Sequence, residues 1–413
     1  MDFLYFLESI RNPVLDAIMS VITYLGDEIA FLALSLAVYW CISKKRGYYL
    51  LSVGFCGVII NQVLKLCFRI PRPWVLDPNF KPIESAVPAA TGYSFPSGHT
   101  QNVTCTFGGV ARFSKTLWIR IASIAVIVLV AFSRMYLGVH TPLDVGVSLV
   151  IGAVLVFALY PLFEYANKHE NAYYWIFGSF FVIALGFLAF ALIFPKCVTL
   201  DPEHSNSALK NACTILGATA GMLVAYPLDR HVVKFNEKAP IAIQIAKLAI
   251  GLILVLAIKE GCKALFTIGV EQEHFLLRAL RYFLVVVFAG GIYPMTFKLY
   301  EYKNYVPVFK YILRLIFTFG IWQYVWIYNT TSFTNLETST AKRNPTNKLL
   351  LCIFVPFYTV YWAHITAKGI DKMAQNKHIA SNISTLCTIL AVFAGPVSAM
   401  IMQSKINQIV KAR

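Results

Sequence analysis

Long continuous apolar runs dominate the chain. A helix needs about 20 mainly apolar residues to cross a hydrocarbon core about 30 Å thick. Eleven or twelve runs of that kind can be counted, with candidates at Gly26–Ile42, Tyr48–Phe68, Gly98–Phe113, Leu117–Leu137, Pro142–Tyr160, Tyr173–Phe194, Ala208–Tyr226, Ile241–Ile258, Leu277–Met295, Val308–Tyr328, Leu349–Ile365 and Ile383–Ile401. Apolar positions do not alternate with polar ones inside these runs, so helices are predicted rather than barrel strands. The expected fold class is all-α, a polytopic helical membrane protein. The N-terminus has acidic residues before its first arginine and no small-residue cleavage site, and Phe3–Thr23 is expected to remain as an interfacial helix.

Composition agrees with that pattern. Of 413 residues, 58% are hydrophobic and 14% charged, too apolar for a soluble globular chain. The formal charge of +16 raises the question of a nucleic-acid partner, but the basic residues lie scattered in short loops, so none is expected. Lys44, Lys45 and Arg46, then Arg112, Lys115 and Arg120, then Arg230, Lys234 and Lys238 fall in alternate loops. By the positive-inside rule these loops face the cytoplasm. The loop Pro195–Ser207, with Asp201 and Glu203 against one lysine, then faces outward. Nine cysteines stand singly with no Cys-x-x-Cys pair, which argues against a disulfide framework or a zinc site.

Three blocks can be distinguished by content. Residues 1–165 hold nearly all the chemically placed polar residues, residues 166–300 add four spans, and residues 301–413 have a different texture, rich in Trp and Tyr near the predicted span ends. Within the third block, Gly320–Thr330 weakly echoes Pro356–Thr366. The simplest account is two aromatic belts at a membrane interface.

Three polar clusters sit at span ends in the first block. Lys65 and Arg72 are seven residues apart, about two helical turns, so both project from one side of the span's end before Pro71 and Pro73 stop the helix. Two converging cations suit a phosphoryl group, although interfacial Lys and Arg also snorkel to headgroups. In the second cluster, Pro96-Ser97-Gly98-His99 opens a helix. Ser97 can cap, the free amides of Gly98 and His99 can hold an anion, and Gly98 lacks the side chain that would block a close-lying phosphate. His99, beside that anion site, can protonate a departing oxygen. In the third, Arg134 supplies another cation and His140 has Asp144 four residues on. Asp144 can orient the His140 ring for nucleophilic attack, and Thr141-Pro142-x-Asp144 is also a capping pattern. Only His140 has a carboxylate close in sequence, which makes it the better nucleophile and leaves His99 as the acid. Counting crossings from the loop at Lys44 puts Arg72, His99 and His140 on one outer side.

These residues resemble the three signatures of the type-2 phosphatidic acid phosphatase superfamily: Lys65 with Arg72-Pro73, then Pro96-Ser97-Gly98-His99, then Ser133-Arg134 with His140 and Asp144. The resemblance implies a helical-bundle core over about the first 165 residues and a phosphohistidine mechanism that needs no metal or cofactor. It implies that His140 becomes phosphorylated, Asp144 orients it and His99 protonates the leaving oxygen. Lys65, Arg72, Ser97, Gly98 and Arg134 would hold the phosphate. The expected substrate is a lipid phosphate or polyprenyl pyrophosphate taken from the bilayer, at a multi-pass protein in the bacterial cytoplasmic membrane with its site on the outer face. Two alternatives keep the same pocket: a phosphatase for a soluble sugar phosphate, and a phosphotransferase to a lipid or sugar acceptor. A lipid transporter or flippase is the alternative from another class, motivated by the extra spans. It is disfavoured because the polar groups cluster at one surface instead of at mid-membrane in matching halves.

Overall fold

The computed structural model describes the whole chain except residues 199–201, 240, 269, 271–272, 298–305, 319, 338–342 and 413. Asp201, Lys342 and the predicted boundary at 300/301 therefore lie outside the described residues. Among the described residues every regular element is a helix. The chain divides into two compact units, residues 1–294 and 295–413.

In the first unit the helices run α1 (Asp2–Ser9), α2 (Pro13–Thr23), α3 (Glu28–Cys41), α4 (Lys44–Phe68), α5 (Pro73–Leu76), α6 (Gly98–Phe113), α7 (Leu117–Tyr136), α8 (Pro142–Lys168), α9 (Ala172–Cys197), α10 (Pro202–Pro227), α11 (Ile241–Phe266) and α12 (Phe275–Val287). The single interfacial helix expected over Phe3–Thr23 is instead two helices. The first stops at Ser9 with Ile10 as its C-cap, and Asn12 starts the second, its side chain accepting from Leu15 N at 3.0 Å ahead of Pro13. After α2 the chain turns at Tyr24–Gly26 and bends by 52° into α3. Among the described residues six helices are long and apolar enough to cross a membrane, and a seventh span results if the bent α2–α3 pair counts as one.

α4 is the axis of this unit and packs against α3, α6 and α8. It also meets α9 and α10 in a core of Ile59, Leu66, Ala184, Phe187, Ala191, Ala208, Ala212 and Ile215. The alanines let these helices approach closely, which matters where lipid offers no hydrophobic driving force for helix association. Lys44 begins α4 and Lys65 lies in its last turn, about 32 Å away at 1.5 Å per residue. The two ends differ in character. At the Lys44 end, Lys44 Nζ meets Asp229 Oδ1 at 2.9 Å, Lys45 Nζ donates to Asn167 O at 2.8 Å, Arg230 Nη1 donates to Asn171 Oδ1 at 2.8 Å, and Arg46 lies 4.9 Å from the Phe113 ring. The basic loops that alternate in sequence thus gather at one end of the bundle. The three polar clusters gather at the other.

In the second unit the expected spans are broken. Val308–Tyr328 is divided between helices Val308–Phe317 and Ile321–Glu337, Leu349–Ile365 between Pro345–Phe354 and Tyr358–Gln375, and Ile383–Ile401 between Ser384–Phe393 and Gly395–Lys411. The breaks carry local reasons: Gly320 at φ 84°, Phe357 at φ 61° after Pro356, and Gly395-Pro396. The tryptophans assigned to interfacial belts are core residues. Trp322 and Trp326 are fully buried, Trp326 meets Trp362 edge-to-face at 5.6 Å, and Trp326 Nε1 donates to Gln403 Oε1 at 2.7 Å. Burying these rings, with the N–H groups of Trp326 and Trp362 both donating, holds the short helices together.

Candidate active site

The site is assembled from four chain segments at the far end of α4. α4 stops because Arg69 adopts the left-handed conformation at φ 53°, its N–H returning to Lys65 O at 3.0 Å. That places Lys65, in the last turn, beside Arg72, just ahead of α5. Both are buried and donate to backbone carbonyls. Lys65 Nζ donates to Tyr93 O at 2.5 Å, while Arg72 donates to Thr91 O at 2.8 Å, Gly92 O at 3.1 Å and Val139 O at 3.0 Å. The 91–94 strap thus supplies three of the carbonyls that these two cations contact.

Ser97 caps α6, its Oγ accepting from Thr100 Oγ1 at 3.0 Å, and its own N–H donates to Asp144 O at 3.2 Å. A Cβ placed on Gly98 would meet only Asn61 Oδ1, at 3.7 Å, so the missing side chain leaves open space at the first amides of α6. Asn61 ties that turn to α4 by donating to Pro96 O at 3.2 Å and to Gln101 Oε1 at 3.0 Å.

Gly138, at φ 76°, makes the turn that carries the chain from α7 to His140. A side chain there would be strained and would also fall 2.9 Å from the Phe80 ring. Arg134 is 1% exposed. Its Nη1 donates to Thr23 Oγ1 at 2.8 Å, and its Nε has no hydrogen-bond partner among the described residues. An uncommitted guanidinium donor buried this deeply carries a desolvation cost that an anion would offset.

His140, in the turn between α7 and α8, is 2% exposed. Its Nε2 lies 3.0 Å from Arg72 Nη1. Guanidinium can only donate, so Nε2 is the nitrogen with the free lone pair, and Nδ1 carries the hydrogen of the neutral ring. Nδ1 lies 3.5 Å from both Asp144 Oδ2 and Ser94 Oγ. Burial, reinforced by the charges of Arg72, Arg134, Lys65 and His99, holds the imidazole well below its ordinary pKa and so neutral. Asp144 is 1% exposed and forms both contacts of a capping box with Thr141, its Oδ2 accepting from Thr141 N at 2.8 Å. The same oxygen accepts from Ser94 Oγ at 2.6 Å. The capping and orienting geometries left open by the sequence therefore coexist on one carboxylate oxygen.

His99, in the first turn of α6, is 16% exposed on its side chain, and its Nε2 lies 3.3 Å from Asp27 Oδ1. Every residue expected to act from the sequence thus lies in one buried cluster: Lys65, Arg72, Ser97, Gly98, His99, Arg134, His140 and Asp144. Four others were not foreseen. Ser94 sits three residues before the Ser97 cap in a loop with no periodicity to mark it, and Thr23, Asp27 and Asn61 lie in stretches that read as ordinary span or span end. In the loop Trp74–Ser94, Trp74 packs against a cluster of Ala86, Ala90, Tyr136, Leu137 and Val139, while the Tyr93 ring lies 4.0 Å from that of His204 on α10.

A buried helical site of three cations against a single buried carboxylate, with two histidines, is that of a phosphoryl-transfer enzyme of the membrane. Residues 46–168 match the PAP2 superfamily, and residues 213–304 match the transmembrane extension of PAP2 superfamily phosphatases. The undecaprenyl-diphosphatase BcrC of Bacillus subtilis is 32% identical over 155 residues, 36% of this chain and 76% of that protein. The phosphatidylglycerophosphatase B of Bacillus subtilis is 31% identical over 163 residues, 36% of this chain and 75% of its own length. A probable sphingosine-1-phosphate phosphatase of Dictyostelium discoideum is 27% identical over 234 residues, 53% of this chain and 55% of its own length. The chain belongs to the PAP2 superfamily and is a multi-pass membrane phosphatase. No solved structure matches it.

Proposed function

We propose that the protein hydrolyses a lipid phosphate or a polyprenyl pyrophosphate through a phosphohistidine on His140, with no metal ion. The observation that carries this reading is the charge imbalance of the site. Lys65, Arg72 and Arg134 are each at most 7% exposed, and Asp144 is the one carboxylate buried with them, an excess of two positive charges. A phosphoryl group carries the complementary charge. Such cations in a site closed to water stabilise the charge of an in-line transfer, the work a divalent ion does in other phosphatases.

In the first step the Nε2 lone pair of His140 attacks phosphorus. The P–N bond forms as the P–O bond to the leaving group breaks, and His99 gives its proton to that oxygen. Asp144 and Ser94 hold Nδ1 as the ring becomes cationic. In the second step water attacks phosphorus and gives a proton to His99, the P–N bond breaks, and phosphate leaves with His140 neutral again. Arg72 must release Nε2 before the first step, and a bound phosphate supplies it with a stronger acceptor than the carbonyls of the strap.

The test is phosphate release by purified protein from phosphatidic acid, phosphatidylglycerol phosphate, a polyprenyl pyrophosphate and sugar phosphates, in excess chelator. Release from the lipids, blocked by vanadate in its trigonal-bipyramidal form, is expected. Release from sugar phosphates alone would move the assignment to a soluble substrate. Loss in chelator with recovery on adding a divalent ion would end the metal-free mechanism.

The site also faces the outer side of the membrane in this reading, because the basic loops occupy the opposite end of the bundle. With the natural cysteines replaced, Lys238→Cys should be shielded from an impermeant thiol reagent in intact cells, and Asn79→Cys should react. Reversed labelling would put the site on the cytoplasmic face.

A further inference from the structure

The break between α2 and α3 does something a simple helix junction does not. Asp27 occupies the N-cap position of α3, where an aspartate ordinarily accepts the free N–H groups of the first turn. Here its side chain makes no cap bond, and Oδ1 lies 3.3 Å from His99 Nε2. The approach is built in by the preceding residue. A Cβ on Gly26 would fall 2.9 Å from the His99 carbonyl oxygen and 3.0 Å from both His99 Cβ and Val130 Cγ1, so only glycine lets the turn come this close to α6. Neighbouring residues of the same break bind the site as well: Thr23 accepts from Arg134, and Gly26 O accepts from Asn102 Nδ2 at 3.4 Å. Gly26-Asp27 is therefore part of the wall of the site.

The other charged groups around His99 are Arg72, from the segment after α4, Arg134 on α7 and His140 before α8. Burial does most to oppose a positive charge on His99, the arginines add to it, and so does His140 when protonated. Asp27 is the carboxylate at ion-pair distance that favours one. A general acid must enter the transition state protonated, yet burial and the neighbouring cations both disfavour the charged ring here.

We propose that Asp27 is a positioning residue for the general acid, fixing the His99 ring through Nε2 and favouring its charged form in the field of the phosphate-binding arginines. The inference rests on the role given to His99 under the proposed function. Its sign is definite. Removing the Asp27 charge makes the imidazolium less favourable, so His99 loses its proton at lower pH and the basic limb of the rate profile moves down. Asp27 is 40% exposed, so solvent weakens its effect.

The experiment compares Asp27→Asn with the wild-type full-length enzyme, using a lipid phosphate with a poor leaving group and an activated aryl phosphate that departs without a proton. Above the basic limb, Asp27→Asn should lose about tenfold in kcat on the lipid phosphate, one pKa unit's worth, with KM little changed. On the aryl phosphate the loss should be much smaller, which also shows that the variant folds. Asp27→Glu should recover part of the loss, and Asp27→Asn should cost nothing further in a His99→Ala background. Titration of the His99 ring by NMR provides a readout that does not depend on turnover, and the ring pKa should fall in Asp27→Asn. An unchanged titration, an unshifted basic limb, or equal losses on both substrates would overturn the proposal. Failure of the wild-type enzyme to release phosphate would instead strike at the parent reading, while the NMR titration would still decide whether Asp27 acts on His99.

Discussion

His140→Ala should abolish turnover, with a loss of at least about 10⁴-fold, because removing the nucleophile of a coupled site costs as much as removing its partners with it. The same substitution should remove acid-labile labelling of the enzyme by a radiolabelled substrate. No activated leaving group should restore it, since the missing step is attack and not departure. The pH profile gives a second check. His140 is held neutral by burial and by the surrounding cations, so its lone pair is protonated only below the ordinary histidine pKa of about 6.5. The acidic limb of single-turnover enzyme phosphorylation should therefore fall below about pH 6.5. A limb at or above that value, or undiminished labelling of His140→Ala, would show that another group attacks phosphorus.

His99→Ala should fail selectively. With a lipid phosphate the expected loss is about 10²–10⁴-fold, the usual contribution of a positioned general acid. With an activated aryl phosphate, whose leaving oxygen needs no proton, the loss should shrink to about tenfold or less. The contrast between the two histidines is the informative part. They share one pocket, and general damage to it would depress both substrates in both variants. Equal rescue of His99→Ala and His140→Ala would mean that the roles are misassigned.

The parts of this enzyme that were legible in its sequence are those in which function fixes spacing along a single helix end. Ser97 precedes the first amides of α6 and Thr141 with Asp144 opens α8 as a capping box, whereas Arg72, read as two turns along the helix from Lys65, lies beyond the left-handed turn at Arg69. Apolar runs of the right length identified helices and a membrane, because hydrocarbon leaves a spanning backbone few other ways to satisfy its hydrogen bonds. The same reasoning failed in residues 295–413. Hydropathy averages over a run and passes through a break such as Gly320 or Gly395-Pro396, and an aromatic residue in a sequence does not reveal whether it faces lipid, water or a neighbouring helix. Trp322 and Trp326 face neither water nor lipid.

By itself the sequence determined the class of fold and picked out the polar residues that gather at one end of the bundle. Tertiary structure decided which further groups act on them. Ser94 reaches Asp144 across fifty residues, Asp27 reaches His99 across seventy-two, and the carbonyls of Thr91, Gly92 and Tyr93 accept from Lys65 and Arg72. The physical reason is the same in each case. A capping or catalytic spacing along one helix is a local constraint written in residue order, whereas a side chain delivered from a neighbouring helix depends on crossing angle and close approach. Gly26 and Gly138 set those approaches, and their purpose is visible only against what packs beside them.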